Sequence, residues 1–151
     1  MSHIFCNVKI KLATKDVVVP KYATFGAAGM DVCAYIPDGE KVMVLDSKQV
    51  RLVPTGIFME IPDGFECQVR SRSGLSTKGI TVANSPGTVD SDFRGEVKVI
   101  LRNDSHATYV VHHGDRIAQL VFAPVAKANF KIVDGLNDTQ RGHGGFGSSG
   151  R

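Results

Sequence analysis

Val97-Lys98-Val99-Ile100-Leu101-Arg102 decides the fold class. Val97, Val99 and Leu101 fall on one side of an extended chain, and Lys98, Ile100 and Arg102 on the other. That period of two marks a strand with one face turned to a core. The same reading extends outward in both directions. Val50 and Leu52, then Ile57, Met59 and Ile61, alternate with other residues, as Cys67 and Val69 do with Gln68 and Arg70. Val17-Val18-Val19 ahead of Pro20, Val42-Met43-Val44-Leu45, Tyr109-Val110-Val111, Ile117 to Phe122 and Phe130-Lys131-Ile132-Val133 are further strand windows.

Turn residues separate these windows: Pro37-Asp38-Gly39, Pro62-Asp63-Gly64, Asn103-Asp104-Ser105 and His113-Gly114-Asp115. The 6 prolines and 16 glycines leave no room for a long helix. One or two helical turns fit at Ser73 to Lys78. Many short strands at this spacing predict an all-β fold, a sandwich or a jelly-roll-like distorted barrel. The 151 residues suffice for one domain with its own core, expected over residues 1–135. From Leu136 the strand pattern stops. Residues 136–151 read as a flexible arm, with five glycines among the last eleven residues.

An apolar fraction of 42% describes an ordinary globule. The net charge of +3 is spread along the chain without a basic stripe, too little for a dedicated duplex-DNA binder but compatible with a small polyanionic ligand held by a few local cations. No run reaches membrane-spanning length, and the N-terminus lacks a signal-peptide core. Cys6, Cys33 and Cys67 are odd in number and lack metal spacing, as expected of reduced thiols in a cytoplasmic compartment. The five histidines form no zinc pattern.

Five segments carry chemistry against this background. In Ala28-Gly29-Met30-Asp31-Val32 a carboxylate leads from a glycine turn into a strand; a plain turn aspartate reads the same way. Arg70-Ser71-Arg72-Ser73-Gly74-Leu75-Ser76 sets guanidinium and hydroxyl donors at a possible helix start, where anions are favoured, although a solvated basic turn fits too. In Asn84 to Val97, two strand-like arms flank a turn at Ser91 to Gly95, with Asp90 where the first arm ends. A carboxylate there can take a proton from water, or can merely shape the turn. In Gly114-Asp115-Arg116-Ile117-Ala118-Gln119-Leu120-Val121, Gln119 is an uncharged polar residue in an apolar run and needs a backbone or ligand partner. Finally, Arg141-Gly-His-Gly-Gly-Phe146-Gly-Ser148 places a phosphate-type donor, an aromatic ring and hydroxyls on a chain too glycine-rich to hold a shape alone.

In this order the five segments resemble the motifs of the trimeric dUTPases, from about Val19 to Gly150. The resemblance implies a jelly-roll-like barrel that hydrolyses dUTP to dUMP and pyrophosphate with Mg²⁺. It also implies a homotrimer with active sites shared between subunits, each closed by the C-terminal arm, and no nucleic-acid or membrane partner. By resemblance, Asp90 is the general base for attack on the α-phosphorus, and Asp31 reaches the metal through water. Arg72, Ser73, Gly74 and Gln119 hold phosphates. Asn84, main-chain groups at Gly87, Thr88 and Val89, and those near Lys98 read the uracil edge. Phe93 packs under the deoxyribose, Phe146 covers the base, and Arg141, Gly147 and Ser148 meet the γ-phosphate.

Two positions depart from the family pattern. Phe93 stands where many members have tyrosine, so a phenolic hydrogen bond is missing. Ser149 stands where threonine is common, which keeps the hydroxyl. The rival readings are a dCTP deaminase-like enzyme on the same fold and a nucleotide-sensing regulator without turnover.

Overall fold

The computed structural model describes residues 5–37 and 42–148. Ten strands and one short helix follow in order: β1 (Lys9–Leu12), β2 (Met30–Cys33), β3 (Val42–Leu45), β4 (Val50–Glu60), β5 (Phe65–Arg70), α1 (Ser73–Ser76), β6 (Ile80–Val82), β7 (Gly87–Val89), β8 (Glu96–Asn103), β9 (Tyr109–His112) and β10 (Arg116–Pro124). One antiparallel sheet runs β1-β4-β8-β6 and a second β2-β10-β5-β7, while β3 and β9 form a ribbon. This is the expected all-β architecture, a distorted jelly-roll-like barrel with one short helix.

The alternation in β8 does what its pattern predicts. Val97, Val99 and Leu101 are buried and face Val53 and Ile57 of β4 together with Ile117 and Leu120 of β10 in one core. Each such side chain contributes about 1.5–3 kcal/mol by leaving water. β4 is one 11-residue strand with an irregularity between Pro54 and Ile57, where its register against β8 shifts. Proline fits there because the ladder is already broken. Gly56 takes φ +69°, and a Cβ on it would come within 2.5 Å of Val17. Glu96 accepts a hydrogen bond from the Gly56 N–H at 2.9 Å and so satisfies the loosened backbone. The buried Asn103 is fully partnered: its amide donates to Leu45 and Ala107 carbonyls, and its Oδ1 accepts from Ser105.

Three expectations need correction. Val17-Val18-Val19 is not a strand; Val17 is a single buried anchor against Gly56 and its neighbours are exposed. Phe130-Lys131-Ile132-Val133 is not a strand either. β10 ends at Pro124, and the segment lies exposed with no ladder to join. The two strand-like arms flanking the Ser91–Gly95 turn do not pair with each other: β7 pairs with β5 and β8 with β4 and β6, so the turn joins two different sheets. Asp38 and Gly39 of the first predicted turn lie outside the described residues.

Candidate active site, divided between the two ends of β5

β10 lies between β2 and β5, so Gln119 faces Asp31 on one side and Arg70 on the other. The chain leaves β5 at Arg70 and stays extended at Arg72 before turning into α1. Arg72 therefore reaches back over the sheet end. Its Nε donates to Asp31 Oδ1 at 2.8 Å, its Nη2 to Asp31 Oδ2 at 3.3 Å, and its Nη1 to the Arg116 carbonyl at 3.1 Å. Arg116 Nη1 stands 3.5 Å from the same carboxylate. A guanidinium has five N–H donors; with three engaged, two remain on Arg72 for an incoming anion.

Gln119 finds the partner that its burial requires: its Nε2 donates to the Ser71 carbonyl at 2.9 Å. Its Oε1 occupies the notch left by Gly29, where a Cβ would come within 2.6 Å. Ser73 and Gly74 open α1 and are exposed, with nothing within 4 Å of a Cβ built on Gly74. Burial pushes the Cys33 thiol pKa up, and the Asp31 carboxylate pushes the same way. Beside these arginines Cys33 stays protonated.

At the other end the geometry is looser. Ser71 ties the start of this stretch to the Arg72 end, since its N–H donates to Ser85 Oγ and its own Oγ accepts from the Val82 N–H. Ser85–Pro86 is a cis peptide. Gly87 is buried opposite Val69, and a Cβ there would meet Asn84 Nδ2 at 2.8 Å. Thr88 and Val89 pair with Gln68 and Cys67. Asp90 follows, exposed, its carboxylate without a hydrogen bond among the described residues. The Phe93 ring is 45% exposed and stands against Gly95. Lys98 is exposed on β8, with Nζ 3.9 Å from Glu96.

The ladder between β5 and β7 fixes how far apart these ends are. Val89 lies opposite Cys67, so Asp90 emerges at the start of β5 while Arg72 lies past its end. Five residue steps lead from Cys67 to Arg72, about 16 Å at roughly 3.3 Å per extended step. Within one chain the structure gathers Asp31, Arg72 and Gln119 at one end and Asn84 with Gly87 alongside. It leaves Asp90, Phe93 and Lys98 away from the arginines. The arm stays apart as well. Arg141, Phe146, Gly147 and Ser148 are exposed, and the hydrogen bonds of residues 139–148 stay among themselves, including Arg141 Nε to the Gly144 carbonyl at 2.8 Å. Ser149 lies outside the described residues.

Sequence reasoning missed Arg116 and Ser71. Their signal was present: Arg116 is three residues ahead of Gln119 at the mouth of β10, and Ser71 adjoins Arg72. Among the described residues no group of three His, Cys, Asp or Glu side chains gathers as a metal cage, and no helix is long and apolar enough to cross a membrane. A separate groove of about 950 Å³ is lined by apolar side chains such as Phe5, Val8, Tyr22, Met59 and Phe122.

A jelly-roll-like barrel with an arginine–carboxylate cluster at one sheet end, a solvent-facing aspartate on a turn and a glycine-rich arm is the architecture of a class of nucleotide hydrolase. The dUTPase family profile matches residues 15–150, and the chain belongs to the dUTPase family. Among its relatives, the deoxyuridine 5'-triphosphate nucleotidohydrolase of Roseobacter denitrificans is 51% identical over 139 residues, covering 91% of this chain and 90% of the relative. That of Rhizobium etli is 52% identical over 143 residues, covering 93% and 91%. A solved structure of Staphylococcus bacteriophage 80alpha dUTPase with dUPNHPP superposes with a TM-score of 0.84 at 25% identity, covering 96% of this chain and 99% of that one.

Proposed function

We propose that this chain hydrolyses dUTP to dUMP and pyrophosphate, as a homotrimer whose active sites each draw on more than one subunit. The observation that supports the shared site is the β5–β7 register: it puts Asp90 and Arg72 towards opposite ends of one strand, which favours a site completed by a neighbouring copy. Phe130 and Ile132 are more than nine-tenths exposed, and the apolar groove beside Met59 and Phe122 offers a seat for such a segment from another copy. Both features favour a closed oligomer.

In this reading Asp90 accepts a proton from the water that attacks the α-phosphorus. The bond from that phosphorus to the α,β-bridging oxygen breaks, and pyrophosphate leaves. A carboxylate base of this kind contributes about 10²–10⁴-fold in rate. The two remaining N–H donors of Arg72 and the amide of Gln119 stabilise the charge that develops on the phosphate oxygens. They are already held in place by Asp31 and Ser71, so little reorganisation is needed. Ser73 and Gly74 extend the same cradle. Asn84, the main chain of Gly87 to Val89 and groups near Lys98 read the uracil edge, and Phe93 packs beneath the sugar. Arg141, Gly147 and Ser148 of the 136–151 arm meet the γ-phosphate, with Phe146 over the base.

The residues fit Mg²⁺ held mainly by the substrate. The nearby carboxylate, Asp31, is already paired with two arginines, which suits contact through water and not a direct bond. The ion supplies charge neutralisation on the triphosphate. Three free cysteines suit a reducing, cytoplasmic setting. The test is pyrophosphate release from dUTP and the four standard dNTPs, with and without Mg²⁺. Rapid turnover of dUTP alone is expected, and ammonia release from dCTP or an absence of turnover would overturn the reading.

A further inference from the structure

The turn that carries Asp90 also carries a feature that no motif role accounts for. The Phe93 ring tip rests on Gly95. A Cβ on Gly95 would lie 2.5 Å from Phe93 Cζ, 3.0 Å from Cε2 and 3.3 Å from Cε1, so the outer edge of the ring occupies the space a side chain would need. Gly95 does not take a left-handed backbone conformation, so the backbone does not require glycine here; the ring does.

The turn itself is pinned on both sides of the ring. The Phe93 N–H donates to the Asp90 carbonyl at 3.2 Å. Arg94 folds back, its Nη1 donating to the Ser91 carbonyl at 2.7 Å and the Phe93 carbonyl at 3.1 Å. With the backbone held, the ring's remaining freedom is its own torsions, and Gly95 limits those. Phe93 has no phenolic oxygen with which to anchor itself by a hydrogen bond. Its packing on Gly95 limits how close the ring tip can come to the backbone.

We infer that Gly95 is a positioning residue for sugar selection: it seats the Phe93 ring so that the ring closes the space a ribose 2′-hydroxyl would occupy. The inference rests on the proposed reading of the site as a dUTP site. A methyl group on Gly95 must push the ring tip back by about 1 Å to reach ordinary carbon–carbon contact. A shift of that size in a group that excludes one atom of substrate is enough to change selection by about tenfold or more.

The test is the ratio of kcat/KM for dUTP to that for UTP in wild type, Gly95→Ala, Phe93→Leu and the double variant, with thermal midpoints measured alongside. Turnover of dUTP by the wild type checks the underlying reading separately. The ratio is expected to fall about tenfold or more in Gly95→Ala. It should fall in Phe93→Leu as well, and adding Gly95→Ala to Phe93→Leu should change it no further, because no ring is left to displace. An unchanged ratio in Gly95→Ala, or an equal further drop in the Phe93→Leu background, overturns the inference. Should Gly95→Ala fail to fold, the double variant decides: if it folds and shows the ratio of Phe93→Leu alone, the clash is with the ring and the inference stands, whereas a double variant that also fails to fold shows that glycine is needed there for something other than the ring and overturns it.

Discussion

At the Arg72 end of β5 the strong donors and acceptors already have partners: Asp31 takes two bonds from Arg72 and an ion pair from Arg116, and Gln119 is tied to Ser71. At the Asp90 end the carboxylate faces water unbonded and the Phe93 ring is half exposed. On the proposed reading, in which the Arg72 end holds phosphates and Asp90 is the base, the contrast matches what each end does. An anion seat gains from being rigid before the ligand arrives, since fixed dipoles need not reorganise when charge develops. A base must keep its lone pairs open for water. The β5–β7 register holds Asp90 and Arg72 apart, so on this reading the base and the phosphate-binding cations do not neutralise each other.

The largest way to break this contrast is at Asp90. Asp90→Asn should lower kcat by about 10²–10⁴-fold while binding of a non-hydrolysable dUTP analogue, read by calorimetry, stays nearly unchanged. Unaltered turnover would remove Asp90 as the base. Next is the arm. Deleting Gly142 to Arg151 should weaken dUTP handling by about tenfold to a hundredfold through lost charge-assisted contacts, with dUMP binding little affected. Equal loss for both ligands would make the arm purely structural.

Asp31→Asn sharpens the comparison from the rigid side. It removes the negative partner that orients Arg72, so KM should rise about tenfold. The pair is partly exposed, so fold stability should change by less than about 1 kcal/mol in a urea melt. A large stability loss with normal KM would show that the cluster is a structural clasp and not an anion seat.

The smallest effect lies in β5 itself, between the two ends. Burial pushes the Cys67 thiol up to about 12, with the Glu66 carboxylate adding to it. The folded pKa is above the unfolded one, so stability is full below about pH 8.5 and drains away as pH rises toward the folded value, by up to about 1.4 kcal/mol per pH unit. Urea midpoints measured between pH 8 and 10.5 at one protein concentration should therefore fall more steeply for wild type than for Cys67→Ala. Parallel slopes would contradict the shift.

Much of the barrel was legible because half-buried strands announce themselves. Val97, Val99 and Leu101 alternate, and so do the core residues of β4 and β5. Short strands were harder. β1 alternates only over Lys9-Ile10-Lys11-Leu12, and β6 has three residues, so neither stood out. Phe130-Lys131-Ile132-Val133 carried a strand's composition but no ladder partner in its own chain, which composition cannot reveal. The chemistry-bearing residues could be named from their order, whereas their grouping could not. Which of them share an end of β5 depends on a register between strands about twenty residues apart, and no local spacing encodes that. Arg116's contact with Asp31 likewise depends on where β10 meets β2, although its place just ahead of Gln119 was visible in the sequence.

The divided site is most directly tested by mixing two broken chains. Asp90→Asn and Arg72→Ala proteins, each inactive alone, are unfolded, combined in equal amounts and refolded together. Sites that draw Asp90 and Arg72 from different copies should be intact in about one case in four in randomly mixed trimers, so pyrophosphate release from dUTP should return to about a quarter of the wild-type level. If each site were built within one chain, no site could be intact, and activity no higher than that of either parent would contradict the account.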